Sequence, residues 1–98
     1  MAKLQEKYEA VVVFSTKLGE EDLKSLIEKI TDGISNNGTL DSIDEWGKRR
    51  LAYEINDETD GYYVVFNFTS APDYPAELDR ILKITSGILR WIVTARVD

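Results

Sequence analysis

Along the first half of the chain, the spacing of apolar residues changes from that of a strand to that of a helix. Tyr8–Phe14 is a short run of mostly β-branched and aromatic residues, which predicts a buried strand. After Glu20 the apolar residues recur at intervals of three and four, which predicts an amphipathic helix. Asn36-Asn37-Gly38 is a typical helix stop. The apolar face of this helix consists of Leu23, Leu26, Ile27, Ile30 and Ile34.

The second half repeats this change of period. Thr39–Ile55 predicts a second strand region, in which Gly47 indicates a bulge or bend. Asn56–Gly61 predicts a polar turn, and Tyr62–Thr69 alternates apolar side chains between two faces, as a strand does. A helix opening near Pro75 and a last strand follow. The helix has its apolar stripe at Leu78, Ile81 and Leu82, and the strand covers Ile88–Val97.

The element order is therefore βαββαβ, two βαβ halves in tandem. Right-handed crossovers close such a chain into an α+β, ferredoxin-like domain with a four-stranded antiparallel sheet in the order 4-1-3-2. Both helices then cover one face of the sheet, and the other face is bare. We expect one domain over residues 1–98, ordered from about 7 to 97. The predicted core is Val12, Phe14, Leu26, Ile30, Val64, Phe66, Leu78, Leu82, Trp91 and Val93.

Composition excludes several function classes. The chain has neither cysteine nor histidine, so disulfides, thiolate metal sites and the commonest general base are absent. The charged N-terminus does not resemble a signal peptide, and the apolar runs are too short to span a bilayer. The acidic run Glu20–Asp22 is explained by the positive end of the helix dipole. We expect a cytoplasmic protein that is not an enzyme and has no metal, cofactor or small-molecule substrate.

Two surfaces are candidates for binding. The first is the strand predicted to lie at a sheet edge, where unpaired main-chain groups are available to a partner. It carries Trp46, Lys48, Arg49, Arg50, Leu51 and Tyr53. The second is the bare sheet face, where cations and aromatic rings suit RNA. Its candidates are Tyr63, Arg90 and Arg96, with Tyr8 nearby. Two alternatives involve no binding function. In the first, the cations only protect the edge strand against aggregation. In the second, the sheet face is only solvated.

The run from Trp46 to Ile55, WGKRRLAYEI, resembles the hallmark of the bacterial small-subunit ribosomal protein six family. Asp60-Gly61-x-Tyr63, Tyr8-Glu9 in the first strand and Ile88–Val93 in the last match as well. The similarity extends from about Lys7 to Arg96.

The resemblance implies a structural constituent of the small ribosomal subunit. It also implies binding to the central domain of 16S ribosomal RNA together with small-subunit ribosomal protein eighteen. The net charge of −6 taken alone argues against nucleic-acid binding, but a basic partner can supply the cations that the chain lacks. A homodimeric regulatory domain of the same topology that binds a small molecule is the alternative, and it needs a concave apolar pocket.

Overall fold

Six regular elements follow one another in the predicted order βαββαβ. The structure, a computed structural model, describes residues 5–55 and 58–96. The strands are β1 (Glu6–Ser15), β2 (Gly38–Ile55), β3 (Glu58–Ser70) and β4 (Ile88–Ala95), and the helices are α1 (Glu20–Asn37) and α2 (Tyr74–Ile84). In the described ranges, neither helix is long and apolar enough to cross a membrane.

The four strands form one antiparallel sheet in the order β2-β3-β1-β4. This confirms the predicted 4-1-3-2 order, with β2 and β4 at the edges. The central strands β1 and β3 carry most of the buried apolar residues, because a strand with neighbours on both sides is shielded from water by them.

The core lies between the sheet and both helices. Val64, Phe66 and Phe68 face α1 and α2 from β3, and each is fully buried, which confirms the predicted alternation. Seven of the ten predicted core residues are buried, and the other three are half-buried at its margin. Those three are Leu26, Trp91 and Val93. The last two lie on the edge strand β4, which has a neighbour on one side only.

Three sequence predictions about strands were wrong in detail. β3 begins at Glu58, so the second half of the predicted polar turn is strand, and residues 56–57 lie outside the described residues. β4 ends at Ala95, and Val97 also lies outside them. β2 begins at Gly38, one residue before the predicted start. A register shift between Val13 and Phe14 lets Ile88 pack against the core.

Tyr8 is the fourth correction. It was predicted near the bare sheet face, but it is 7% exposed and belongs to the core on the helix side. Its ring lies 5.6 Å from that of Phe68, and it has the same strand parity as Ala10 and Val12. Tyr8 therefore packs in the core and does not lie on the bare sheet face.

Candidate functional site

The side of the sheet away from the helices, called the outer face below, collects most of the predicted binding residues. Strand register places Val11 and Val13 of β1 beside Val65 of β3 and Ile92 of β4 at its centre. Ile92 is 48% exposed. With Tyr63 and Arg90, the side chains of Val11, Val13 and Ile92 line a shallow depression. The centre of this face is thus apolar, with polar side chains around it.

A bulge in β2 brings Trp46 onto the outer face. The pairing with β3 shifts between Glu45 and Gly47, and Gly47 has φ +84°, a conformation that favours glycine. The predicted bend is therefore confirmed. The Trp46 ring lies nearly parallel to that of Tyr63, with the centroids 6.3 Å apart, and the Arg49 guanidinium lies 5.6 Å from the Trp46 centroid. Half of Trp46 remains exposed.

The hairpin between β2 and β3 extends beyond the end of β1 and bends over the outer face. Residues 50–55 and 58–60 are called the hairpin arm. The hydroxyl of Tyr53, on this arm, accepts a hydrogen bond of 2.9 Å from Arg90 on β4, and the Arg90 guanidinium lies 5.9 Å from the ring centroid. Because β3 and β1 lie between β2 and β4 in the sheet, Tyr53 reaches across both strands.

Glu58, which pairs with Ile55 next to the turn of the hairpin, ties the arm to the end of β1. The Ser15 hydroxyl donates one hydrogen bond shared between the two carboxylate oxygens of Glu58, at 2.7 and 2.8 Å, and the main-chain N–H of Thr16 donates another of 3.1 Å. Glu58 is 7% exposed and Ser15 8%. This buried network fixes the start of β3 to the end of β1.

The arm also covers part of the sheet. Gly61 lies so close to Leu51 and Val13 that a Cβ atom there would approach Val13 Cγ1 to 2.4 Å. Val13 and Val65 are 4% and 2% exposed although neither belongs to the core under the helices. The prediction of a bare outer face was therefore wrong in part, because the sequence did not show that the hairpin bends back.

Hydrogen-bonded polar side chains lie at the other end of the outer face. Arg96 donates a hydrogen bond of 2.9 Å to the Asp41 carboxylate, which also accepts one of 2.8 Å from the Thr69 hydroxyl. Its guanidinium is therefore neutralised by a carboxylate of the same chain.

Among the described residues, the outer face carries four cationic side chains and three carboxylates. These are Lys7, Arg49, Arg90, Arg96, Glu9, Asp41 and Asp44. The face is thus close to electrically neutral.

The structure divides the predicted edge-strand residues into two groups. The side chains of Trp46, Arg49, Leu51 and Tyr53 join Tyr63 and Arg90 of the second predicted surface. Lys48 and Arg50 pair with Tyr62 and Asp60 and so face the opposite side of the strand. The two predicted surfaces therefore form one site on the outer face, without these two cations and without Tyr8.

Sequence reasoning missed three contributors to the site: Glu58, Ser15 and Val13. Glu58 lies in the predicted polar turn, and Ser15 lies one residue beyond the predicted strand Tyr8–Phe14. Their hydrogen bonds join residues 43 positions apart, and no local pattern reports such a pair. Val13 was assigned to a buried strand, and alternation with the predicted core residues Val12 and Phe14 would have placed it on the outer face.

The site offers little for metal chemistry. Within residues 5–55 and 58–96, no group of three or more carboxylates is placed to hold a metal ion. The arrangement instead presents aromatic rings, guanidinium groups and an apolar centre on a rigid sheet. Such a surface is suited to contact with another macromolecule.

Comparison with known proteins identifies the family. The family model described as Ribosomal protein S6 matches residues 7–95. The chain belongs to the ribosomal protein S6 family. Small ribosomal subunit protein bS6 of Clostridium perfringens is 52% identical over 88 residues, which cover 89% of this chain and 93% of that protein. The bS6 protein of Caldanaerobacter subterraneus is 46% identical over 92 residues, 93% of this chain and 97% of that protein.

A solved structure supports the same assignment. The crystal structure of 30S ribosomal protein S6 from Thermotoga maritima matches with a TM-score of 0.89 at 27% identity, covering 95% of this chain and 89% of that chain. The ferredoxin-like fold is thereby confirmed. As an S6 family member the chain is a structural protein of the small ribosomal subunit and not an enzyme. This favours the ribosomal interpretation over the small-molecule-binding regulatory domain.

Proposed function

We propose that this S6 family protein binds the central domain of 16S ribosomal RNA in the cytoplasm jointly with small-subunit ribosomal protein eighteen. In this proposal the outer face is the surface that receives the protein partner. The RNA then binds to the heterodimer and gains most of its phosphate contacts from the partner. The observation that carries the proposal is the cluster of Trp46, Arg49, Tyr53, Tyr63 and Arg90 around an apolar depression.

The chemistry of this cluster favours protein over phosphate. Tryptophan, tyrosine and arginine are the residues that contribute most to binding at protein interfaces, above all at an apolar centre. A surface that binds RNA directly needs an excess of cations, whereas the outer face is nearly neutral and Arg96 is already paired with Asp41. Arg49 and Arg90 lie against aromatic rings, which orients them for contact with a partner.

The two adjacent arginines allow a matched test. Arg49 lies on the outer face and Arg50 on the opposite side of β2. We predict that Arg49→Ala weakens the heterodimer with protein eighteen about tenfold, because a charge-assisted contact is worth roughly 1.5–3 kcal/mol. Arg50→Ala, the control, should bind within about twofold of the wild type. Isothermal titration calorimetry on the two purified proteins measures both affinities.

Thermal unfolding of each variant separates a binding defect from a folding defect. An Arg49→Ala protein that binds as the wild type does, while its melting temperature falls, would show that Arg49 only protects the edge of the sheet. A larger loss of affinity for Arg50→Ala than for Arg49→Ala would place the partner on the helix side of β2 and overturn the assignment of the outer face.

A further inference from the structure

A second surface lies on the helix side of the sheet, where α1 runs beside the edge strand β2. This α1–β2 groove has an apolar floor made by Leu23 and Ile27 of α1 and Ile43 of β2. All three are half-buried and pack against the core, so each still exposes apolar surface to solvent. The groove lies on the opposite side of β2 from the outer face and is not part of the proposed partner interface.

The walls of the groove are acidic. Five carboxylates line it, Glu20, Glu21, Glu28, Asp32 and Glu45, whereas Lys24 is the single cation among its lining residues. Glu45 accepts a hydrogen bond of 3.0 Å from the Tyr62 hydroxyl, which holds its carboxylate at the β2 side. Charges of one sign along a concave surface concentrate the electrostatic field, so the groove attracts cations and repels RNA.

The groove also adjoins an unpaired strand edge. β2 pairs with β3 on one side, and within the described residues no strand pairs with its other side. An extended segment placed beside such an edge gains main-chain hydrogen bonds, while its alternate side chains enter the adjacent groove. The side chains of Ile43 and Glu45 reach the groove from this same strand.

We propose that the α1–β2 groove is a docking site for an extended, cationic protein segment with apolar side chains at alternate positions. The apolar side chains cover Leu23, Ile27 and Ile43, and the lysine or arginine side chains pair with the surrounding carboxylates. Charge complementarity selects this occupant, because an acidic segment or a nucleic acid would meet repulsion from five carboxylates. The proposal rests on a surface separate from the outer face and does not depend on the proposed heterodimer.

The probe for this site is a synthetic peptide of alternating lysine and valine, blocked at both ends. Titrated into the isotopically labelled full chain, it should shift the amide resonances of Leu23, Ile27, Ile43 and Glu45 and leave those of the outer face unchanged. A variant that combines Glu28→Gln, Asp32→Asn and Glu45→Gln should bind it about tenfold more weakly, since three ion pairs are removed at nearly constant shape.

The control is a double variant, Asp22→Asn with Asp73→Asn, which neutralises exposed carboxylates outside the groove. It should bind the peptide about twofold more weakly at most. Arg49→Ala should bind the peptide as the wild type does, so that failure of this site and failure of the proposed heterodimer are distinguishable. Equal binding of a glutamate–valine peptide, an unchanged affinity of the groove variant, or the same resonance shifts with magnesium ions alone would overturn the proposal.

Discussion

One side chain, Tyr74, carries a polar atom into the core. Tyr74 is 5% exposed and lies edge-on to Phe68, with the ring centroids 6.0 Å apart. Its hydroxyl has no hydrogen-bond partner. Burial, and to a smaller extent the nearby Glu77 carboxylate, raise the pKa of Tyr74 above its ordinary value of about 10. A buried hydroxyl without a partner contributes packing but carries a desolvation cost.

We predict that Tyr74→Phe leaves the free energy of unfolding unchanged at neutral pH or raises it by up to ~1 kcal/mol, since no hydrogen bond is lost. Above about pH 10 the unfolded state loses the tyrosine proton before the folded state does, so wild-type stability falls as pH rises. The variant should lack this part of the fall. Urea unfolding near neutral pH and in alkali measures both effects, with the partly exposed Tyr63→Phe as control. A clear loss of stability at neutral pH would reveal a partner for the hydroxyl.

The hairpin arm is the element that gives the outer face its shape. On the β3 side of the arm Glu58 binds Ser15 and Thr16, and on the β2 side Tyr53 binds Arg90. The bulge at Gly47 lies between the sheet proper and this arm. Because both anchors join residues that are distant in sequence, the arm keeps its position only while the sheet is folded.

We predict that Glu58→Ala lowers the free energy of unfolding by roughly 1–3 kcal/mol, because it leaves the buried Ser15 hydroxyl and the Thr16 N–H without their acceptor. The amide hydrogens of the arm should also exchange faster with solvent. Thr59→Ala changes the adjacent, exposed residue and serves as control. Equal urea midpoints for the two variants would show that Glu58 does not anchor the arm.

The strands that build the outer face show which features could be predicted from the sequence. Alternation in β3 predicted its buried face correctly, because a period of two assigns each side chain to one side of a strand. Applied to β1, that rule also places Tyr8 with Ala10 and Val12, so this error was avoidable. The start of β3 at Glu58 was not predictable in this way, since its polar residues resemble a turn and the bonds to Ser15 and Thr16 are long-range. The contact between Tyr53 and Arg90 likewise depends on the bend of the hairpin over the outer face.

Across the whole molecule, charge is distributed unevenly. The net charge is −6, yet the outer face is nearly neutral and the α1–β2 groove is strongly acidic. A chain of this charge is only weakly attracted to a polyanion, or is repelled by it, when no specific contacts form. Membership in a ribosomal family and poor intrinsic affinity for RNA are compatible if a basic protein binds to the outer face and carries the phosphate contacts.

The most direct test of this account is the affinity of the 16S central-domain RNA for the chain alone, for protein eighteen alone and for the two together, measured by filter binding at physiological salt. We predict poor binding of the chain alone and clear binding of both proteins together, more than about tenfold tighter than either one, because in the proposed assembly the heterodimer as a whole contacts the RNA. Arg49→Ala should reduce the joint binding and leave the binding of protein eighteen alone unchanged. Tight binding of the isolated chain to the RNA at physiological salt would contradict the account.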